Sequence, residues 1–290
     1  MAVSPTRRAF NDALTRWHST HRRDLAVRRT VDPWAILVAE VMSQQTQIVR
    51  IGPAWERFIE RWPDANALAT AGTRELLQAW AGLGYNRRAL ALREAARAIV
   101  NDHFGRVPAG VEALERLPGI GPYTARAVGA AAFGAPVAPL DVNVRRVIGR
   151  FLRDDPSAKR LQADADALVS RRDPRAWLDG VMDLAATVCT PRAPRCTECP
   201  LRTMCSTRIA GEAMPAKAPP PPTSRFASTN RWLRGRLLAT VRDAPPGAWI
   251  DAPDVLGEHD RAAVLAALGG LERDGFVELR DGRARLSGDG

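Results

Sequence analysis

Apolar side chains recur at helical rather than strand spacing along most of the chain. Residues 7–22 place Phe10, Ala13, Leu14 and Trp17 on one face, with arginines elsewhere. Asp32 and Pro33 are good helix-start residues, and the helix they open carries Trp34, Ile36, Leu37, Val38, Val41 and Met42. Residues 53–104 read as several short helices, marked by Trp55, Phe58, Ile59 and Trp62, then Leu76, Leu77 and Trp80, then Leu90, Leu92, Ala95 and Ile99. Residues 150–188 are helical in pattern again, with Trp177, Leu178, Val181, Met182 and Leu184 on one face. These stripes are core packing in their simplest reading. After a Pro-rich stretch, Pro219–Pro222, two more helices are expected, one around Trp232, Leu233, Leu237, Leu238 and Val241 and one from Ala262 to Leu271. A hairpin follows, with residues 276–280 and 283–286 flanking the turn pair Asp281-Gly282.

Composition narrows the function classes. At 290 residues the chain can bury two or three cores. No run of about 18 apolar residues predicts a membrane span. The first residues lack the apolar stretch of a secretory signal, so a cytoplasmic, nucleoid-associated protein is expected. The 42 basic and 32 acidic side chains leave a net charge of +10, which suits a polyanionic partner. Residues 225–290 hold ten arginines and ten acids, so the whole excess lies before residue 225.

Three stretches carry candidate chemistry. The first is Leu117-Pro118-Gly119-Ile120-Gly121-Pro122-Tyr123, followed by an Ala-rich segment and by Leu140-Asp141-Val142-Asn143-Val144-Arg145-Arg146. Gly119 and Gly121 can take backbone angles closed to other residues, and the next helix begins there with its positive dipole end, an arrangement that suits a phosphate oxygen. A Gly-x-Gly alone is a common turn; the returning carboxylate of Asp141 makes this one distinctive, although an aspartate there is equally a helix N-cap. The second stretch sets Glu40 among apolar residues without a basic neighbour in sequence. Burial raises a carboxyl pKa, so Glu40 could serve as a general acid, whereas most glutamates simply face solvent. In the third, all four cysteines fall in one window, Cys189, Cys196, Cys199 and Cys205, spaced C-x6-C-x2-C-x5-C. Such a group forms a metal site or two disulfides. Structural zinc usually takes two tight pairs, and only one is present.

Taken together these motifs resemble the helix-hairpin-helix DNA glycosylases, and among them the MutY-type adenine glycosylases, over residues from about 20 to about 206. The resemblance implies an all-α, two-domain fold: residues 1–30 and 149–208 form an iron–sulfur domain, and 31–148 a domain holding the hairpin. A Pro-rich linker at 209–224 leads to a small winged-helix-like domain at 225–290. It implies a [4Fe–4S] cluster on the four cysteines, Glu40 as the acid protonating the purine, Asp141 as the stabiliser of the sugar cation, and Tyr123 in the position where strand-cutting relatives of the endonuclease III type carry a lysine. A phenol forms no Schiff base, so hydrolysis without strand cleavage is expected.

Further positions carry over one by one. Gln45 enters the base stack, Asn86 replaces the second Tyr of a Gly-Leu-Gly-Tyr-Tyr wedge, and Arg87 and Arg88 contact phosphate together with Gly119 and Gly121. The base pocket takes Val27, Arg28, Ser43 and Asp179. Three of these depart from the resembled pattern: Ala26-Val27 stands for Pro-Trp, Ser43 for Leu, and Asp179 for Glu. The expected partner is duplex DNA with a mispaired or damaged base, bound by a monomer, with no membrane involved. Neutrality of residues 225–290 favours packing or protein contact there, and they are too few for the larger domain with which full-length MutY-type enzymes recognise 8-oxoguanine. A glycosylase for another base, or a non-catalytic iron–sulfur DNA-binding protein, are the alternatives.

Overall fold

The computed structural model describes residues 5–46, 51–153, 160–211 and 225–288. Gln47 and the Pro-rich linker Pro219–Pro222 lie outside them. Among the described residues no helix is long and apolar enough to cross a membrane.

Two helical cores share one set of elements. The first is built around α2 (Pro33–Ser43), which is buried almost all round by Trp34, Ile36, Leu37, Val38, Val41 and Met42, leaving only Glu40 and Ser43 as polar positions in its second half. Asp32 caps α2 by accepting from Trp34 N and Ala35 N, and Pro33 occupies its first turn. Around it pack α3 (Ile51–Arg61), α4 (Ala65–Ala69), α5 (Thr73–Ala79), α6 (Arg87–Asp102) and α7 (Val111–Glu115). The second core gathers α1 (Pro5–His21), α9 (Val142–Leu152), α10 (Arg160–Leu168) and α11 (Pro174–Thr187), with Phe10 edge-on to Phe151 at 4.9 Å. Short α12 (Ser206–Ile209) closes the cysteine loop against α9.

The helix α8 (Pro122–Phe133) belongs to both. Ala125 and Val128 sit in the first core, Ala127 and Ala130 in the second. The small side chains let neighbours approach from two sides, so the divide expected near residue 148 falls inside α8, and α9 packs wholly with the second core. A left-handed Gly134 (φ 66°) ends α8 and turns the chain towards Asp141.

The C-terminal domain forms a third core from α13 (Asn230–Asp243), α14 (Arg261–Arg273) and a sheet in the order β1 (Ile250–Asp251), β5 (Arg283–Leu286), β4 (Val277–Arg280), all antiparallel. A two-residue pair, β2 (Val255–Leu256) with β3 (His259–Asp260), precedes α14. The periodicity anticipates both helices and the β4–β5 hairpin. It misses β1, β2 and β3, two-residue strands too short to show an alternation. The domain docks on the first core: Leu77 of α5 joins its apolar cluster, and Arg74 bonds the carbonyls of Arg242 and Ala244.

Candidate active site

Six residues proposed from sequence come together around one cavity. Val27, Arg28, Glu40, Ser43, Tyr123 and Asp179 all line a concavity of about 640 Å3, counting its open mouth, between α2, α8 and α11. Each element presents its residue for a local reason. Glu40 and Ser43 are neighbours on one face of α2. Tyr123 is in the first turn of α8, and Asp179 and Met182 are one turn apart on α11.

Glu40 is pushed up to about 7, first by burial, then by the charges of Asp179 and Asp141, with Arg28 opposing. A carboxyl group in that range is part-protonated near neutrality and can donate. Burial, with the charges of Glu40 and Asp141 behind it, pushes the Tyr123 phenol well above its usual range, so it remains a neutral hydroxyl. Asp141 does not line the cavity, but its charge reaches both groups. It caps α9: Oδ1 accepts from Asn143 N and Val144 N, each at 2.8 Å, and Oδ2 from Asn143 Nδ2 at 2.7 Å. The capping role and proximity to the cavity therefore coexist. From Asn143 the network continues through Arg146, which donates to Asn143 Oδ1 and to the carbonyls of Ala185 and Cys189.

Arg28 also belongs to an ion cluster whose other members, His18, Arg23 and Asp183, sequence reading missed. Asp183, fully buried, accepts from His18 at 3.1 Å, from Arg23 Nε at 2.5 Å and from Arg28 Nη1 at 2.8 Å. Burial opposes its ionisation, yet those donors hold it far below the usual carboxylate range. Arg28 is thereby shared between two acids, its Nε lying 2.8 Å from Asp179 Oδ1. For Asp179 the balance tips the other way: burial outweighs the pull of Arg28 and Arg175, and its carboxyl is raised. His18 and Asp183 lie 165 positions apart, and no local pattern joins them.

The hairpin turn divides its two glycines. Gly119 is left-handed (φ 74°), and a Cβ there would meet Ala91 Cβ at 2.6 Å. Gly121 is extended at the N-cap of α8 and makes no use of the backbone freedom that glycine offers. A Cβ on Gly121 would meet nothing, so a side chain is missing where an outside group could approach. Gln44 ties the turn to α2 through Thr124 Oγ1 at 3.1 Å.

Of the expected DNA contacts, Gln45, Asn86 and Arg87 border a second groove, shared with α13. Asn86 is the first residue before α6 and makes no side-chain cap; the exposed aromatic of the loop is Tyr85, left-handed at φ 45°. Arg88 corrects the sequence expectation. It turns inward and donates to the carbonyls of Val41, Met42, Leu83 and Gly84 and to Thr46 Oγ1, over the ring of Trp80 at 5.3 Å. It thus serves the free carbonyls at the end of α2, and burial lowers it to about 10.

All four cysteines border one small cavity with Phe151, Leu184 and Leu201. Burial pushes the Cys199 thiol up to about 11, and Arg150 Nη1 lies 3.4 Å from Cys189 Sγ. Among the described residues no three His, Cys, Asp or Glu side chains converge tightly enough for a single metal ion.

A two-core helical body with a glycine turn leading into α8 is the architecture of a helix-hairpin-helix base excision DNA repair protein. The profile of the HhH-GPD superfamily base excision DNA repair proteins matches residues 38–171. The chain belongs to the family of adenine DNA glycosylases: it is 42% identical to the adenine DNA glycosylase of Mycolicibacterium smegmatis over all of its own length and 98% of that relative. The adenine DNA glycosylase of Mycobacterium tuberculosis is 41% identical over 100% of this chain and 97% of the relative. A solved thermostable thymine-DNA glycosylase superposes with a TM-score of 0.67 at 31% identity, covering 72% of this chain and all of that one.

Proposed function

We propose that the chain hydrolyses the N-glycosidic bond of a mispaired adenine extruded from duplex DNA, opposite 8-oxoguanine or guanine, as a monomer acting on the nucleoid in the cytoplasm. The observation that carries this is Glu40, a carboxyl raised to about 7 on the wall of a concavity, with a second carboxylate, Asp141, close enough to act on it. Glu40 donates its proton to the departing purine. Asp141 offers negative charge to the cation that grows on the deoxyribose, the electrostatic demand that carboxylates meet in sugar cleavage. Arg28 and Asp179 supply a donor and an acceptor at the wall for the edge of the base. Tyr123, held neutral, orders the site and offers no amine, so the strand stays intact after base loss. Gly119 and Gly121 present main-chain N–H groups to a phosphate beside the extruded nucleotide.

The four cysteines fit a [4Fe–4S] cluster. All four thiols border one cavity, and four thiolates on one loop are the ligand set of such a cluster. Cys189, Cys196, Cys199 and Cys205 would hold it, and when bound it supplies cross-linking of the loop.

A second reading rests on the pocket wall. Val27 and Ser43 stand where the resembled pattern has Trp and Leu, and Ser43 Oγ is satisfied by Ala39 O at 2.7 Å. The wall is therefore smaller and could admit another base. Single-turnover base release on duplexes carrying adenine opposite 8-oxoguanine or guanine, and uracil, thymine or hypoxanthine in mispairs, decides between them. Adenine release with breakage only after alkali supports the first reading; release of another base alone overturns it. Iron and sulfide content tests the cluster, and zinc in their place refutes it.

A further inference from the structure

The base cavity has a larger neighbour. A groove of about 1840 Å3, counting its open mouth, runs between the Gly84–Arg87 loop and α13 of the C-terminal domain. Ser43 lines the base cavity, and the next two residues, Gln44 and Gln45, line this groove. Only the last turn of α2 separates them.

The neutral sum of the C-terminal domain hides an uneven distribution. Its strands and the start of α14 carry paired charges, Arg283 with Asp251 and Arg261 with Asp254. The groove wall carries arginines instead. Its one acid, Asp274, is taken up by Arg234 and Arg87. Arg231 and Arg236 are exposed on that wall, and the partners they find are rings. Arg231 lies 4.0 Å from the Tyr85 ring centre and donates to its hydroxyl at 2.7 Å, and Arg236 lies 5.7 Å from the Trp232 ring. Arg231 spends one Nη1 N–H on that hydroxyl and keeps its remaining N–H groups for an acceptor, and Arg236 sits over its ring with its edge turned outward.

Gly235 is the independent observation. It sits inside α13 and lines the groove, and a Cβ there would meet nothing within 4 Å. Glycine is the poorest helix former after proline, and packing within the chain does not require it here. A bare helix face between two arginines fits the close approach of something from outside.

We propose that this groove binds the DNA strand paired with the one that loses its base, with phosphate contacts from Arg231 and Arg236 and with Tyr85 holding Arg231 in place. This rests on the glycosylase reading of the cleft. The occupant follows from continuity. The base cavity and the hairpin turn, joined through Gln44, take the extruded nucleotide and its phosphate on one side of the end of α2. The groove starts at that same helix end, at Gln44 and Gln45, within reach of the other strand of the same duplex.

The test is equilibrium binding of the full chain to a duplex with an uncleavable 2′-fluoro-deoxyadenosine, measured across salt concentrations. In the Arg231→Ala/Arg236→Ala double variant the affinity is expected to fall about tenfold or more, with the slope of log K against log salt reduced by about 2. Phosphate-ethylation interference should disappear at positions on the complementary strand alone. Gly235→Leu should weaken binding while keeping the unfolding midpoint at or above that of the parent, and Arg283→Ala should change neither binding nor excision. Unchanged affinity and slope in both groove variants would overturn the proposal, as would interference lost from the base-losing strand instead. Absence of base release by the parent protein on the matching deoxyadenosine duplex would strike the glycosylase reading and not the groove.

Discussion

The base cavity and the groove beside α13 are one residue apart in sequence, at Ser43 and Gln44, and handle charge in opposite ways. The cavity collects the carboxyl groups of Glu40 and Asp179, with Asp183 bonded to Arg28 of its wall, and burial is the first influence on each. There a shift of a few units is attainable, and a glutamate can hold a proton near neutrality. The groove collects exposed arginines, which solvent leaves charged and which salt screens. Proton transfer needs the first environment and reversible recognition of a polyanion needs the second. A single helix end borders both because Arg88 satisfies the carbonyls of Val41 and Met42 there.

The contrast breaks first at the two carboxylates. Asp141→Asn keeps a good N-cap while removing the charge, so stability should hold within about 0.5 kcal/mol while single-turnover excision falls about 10^3-fold or more. Glu40→Gln should lose about 10^2- to 10^4-fold in the same assay, with DNA affinity retained in both. Full activity in either variant removes that residue from the chemistry.

The next effect is on the ion cluster around Asp183. Arg28→Ala leaves the fully buried Asp183 short of one cation and Asp179 short of its nearest partner, which should cost about 3–5 kcal/mol in urea unfolding. A loss below about 1 kcal/mol would mean that His18 and Arg23 alone satisfy Asp183. Arg88→Ala should cost roughly 2–3 kcal/mol by the same measurement, since several carbonyls lose a charged donor. An unaltered midpoint would show that water replaces the guanidinium.

The smallest effect is the pH response. In the proposed reaction Glu40 acts in its protonated form, and its pKa is raised to about 7, so the excision rate should be steady below that point and fall roughly tenfold per pH unit above it. The groove contributes arginine charge that stays constant across this range, so DNA affinity should not follow the same curve. A rate that rises with pH would assign Glu40 the opposite role.

Much of this was legible along the chain, because the rules involved are local. Helical spacing, the caps at Asp32 and Asp141 and the glycine at 119 describe residues that interact within a turn or two of one another. The cysteine spacing and the Glu40 and Asp141 candidates belong with them. Local rules also misled where the outcome hung on a distant partner. Arg87 and Arg88 look alike in sequence, yet Arg88 is drawn inward by the end of α2, more than forty positions away. The neutral total of residues 225–290 concealed α13, whose arginines face the Tyr85 loop across the chain.

The amino-acid sequence by itself determined which helices form, where they stop, and which residue types could do acid chemistry or bind phosphate. Only the tertiary structure decided that Glu40 is an acid near neutrality, because that depends on solvent exclusion and on charges arriving from residues 28, 141 and 179. It also decided that Arg28 is divided between Asp179 and Asp183, and that the C-terminal domain walls the groove. Burial and electrostatic fields are sums over everything nearby in space, and nearness in space between such distant segments exists only once the chain has folded.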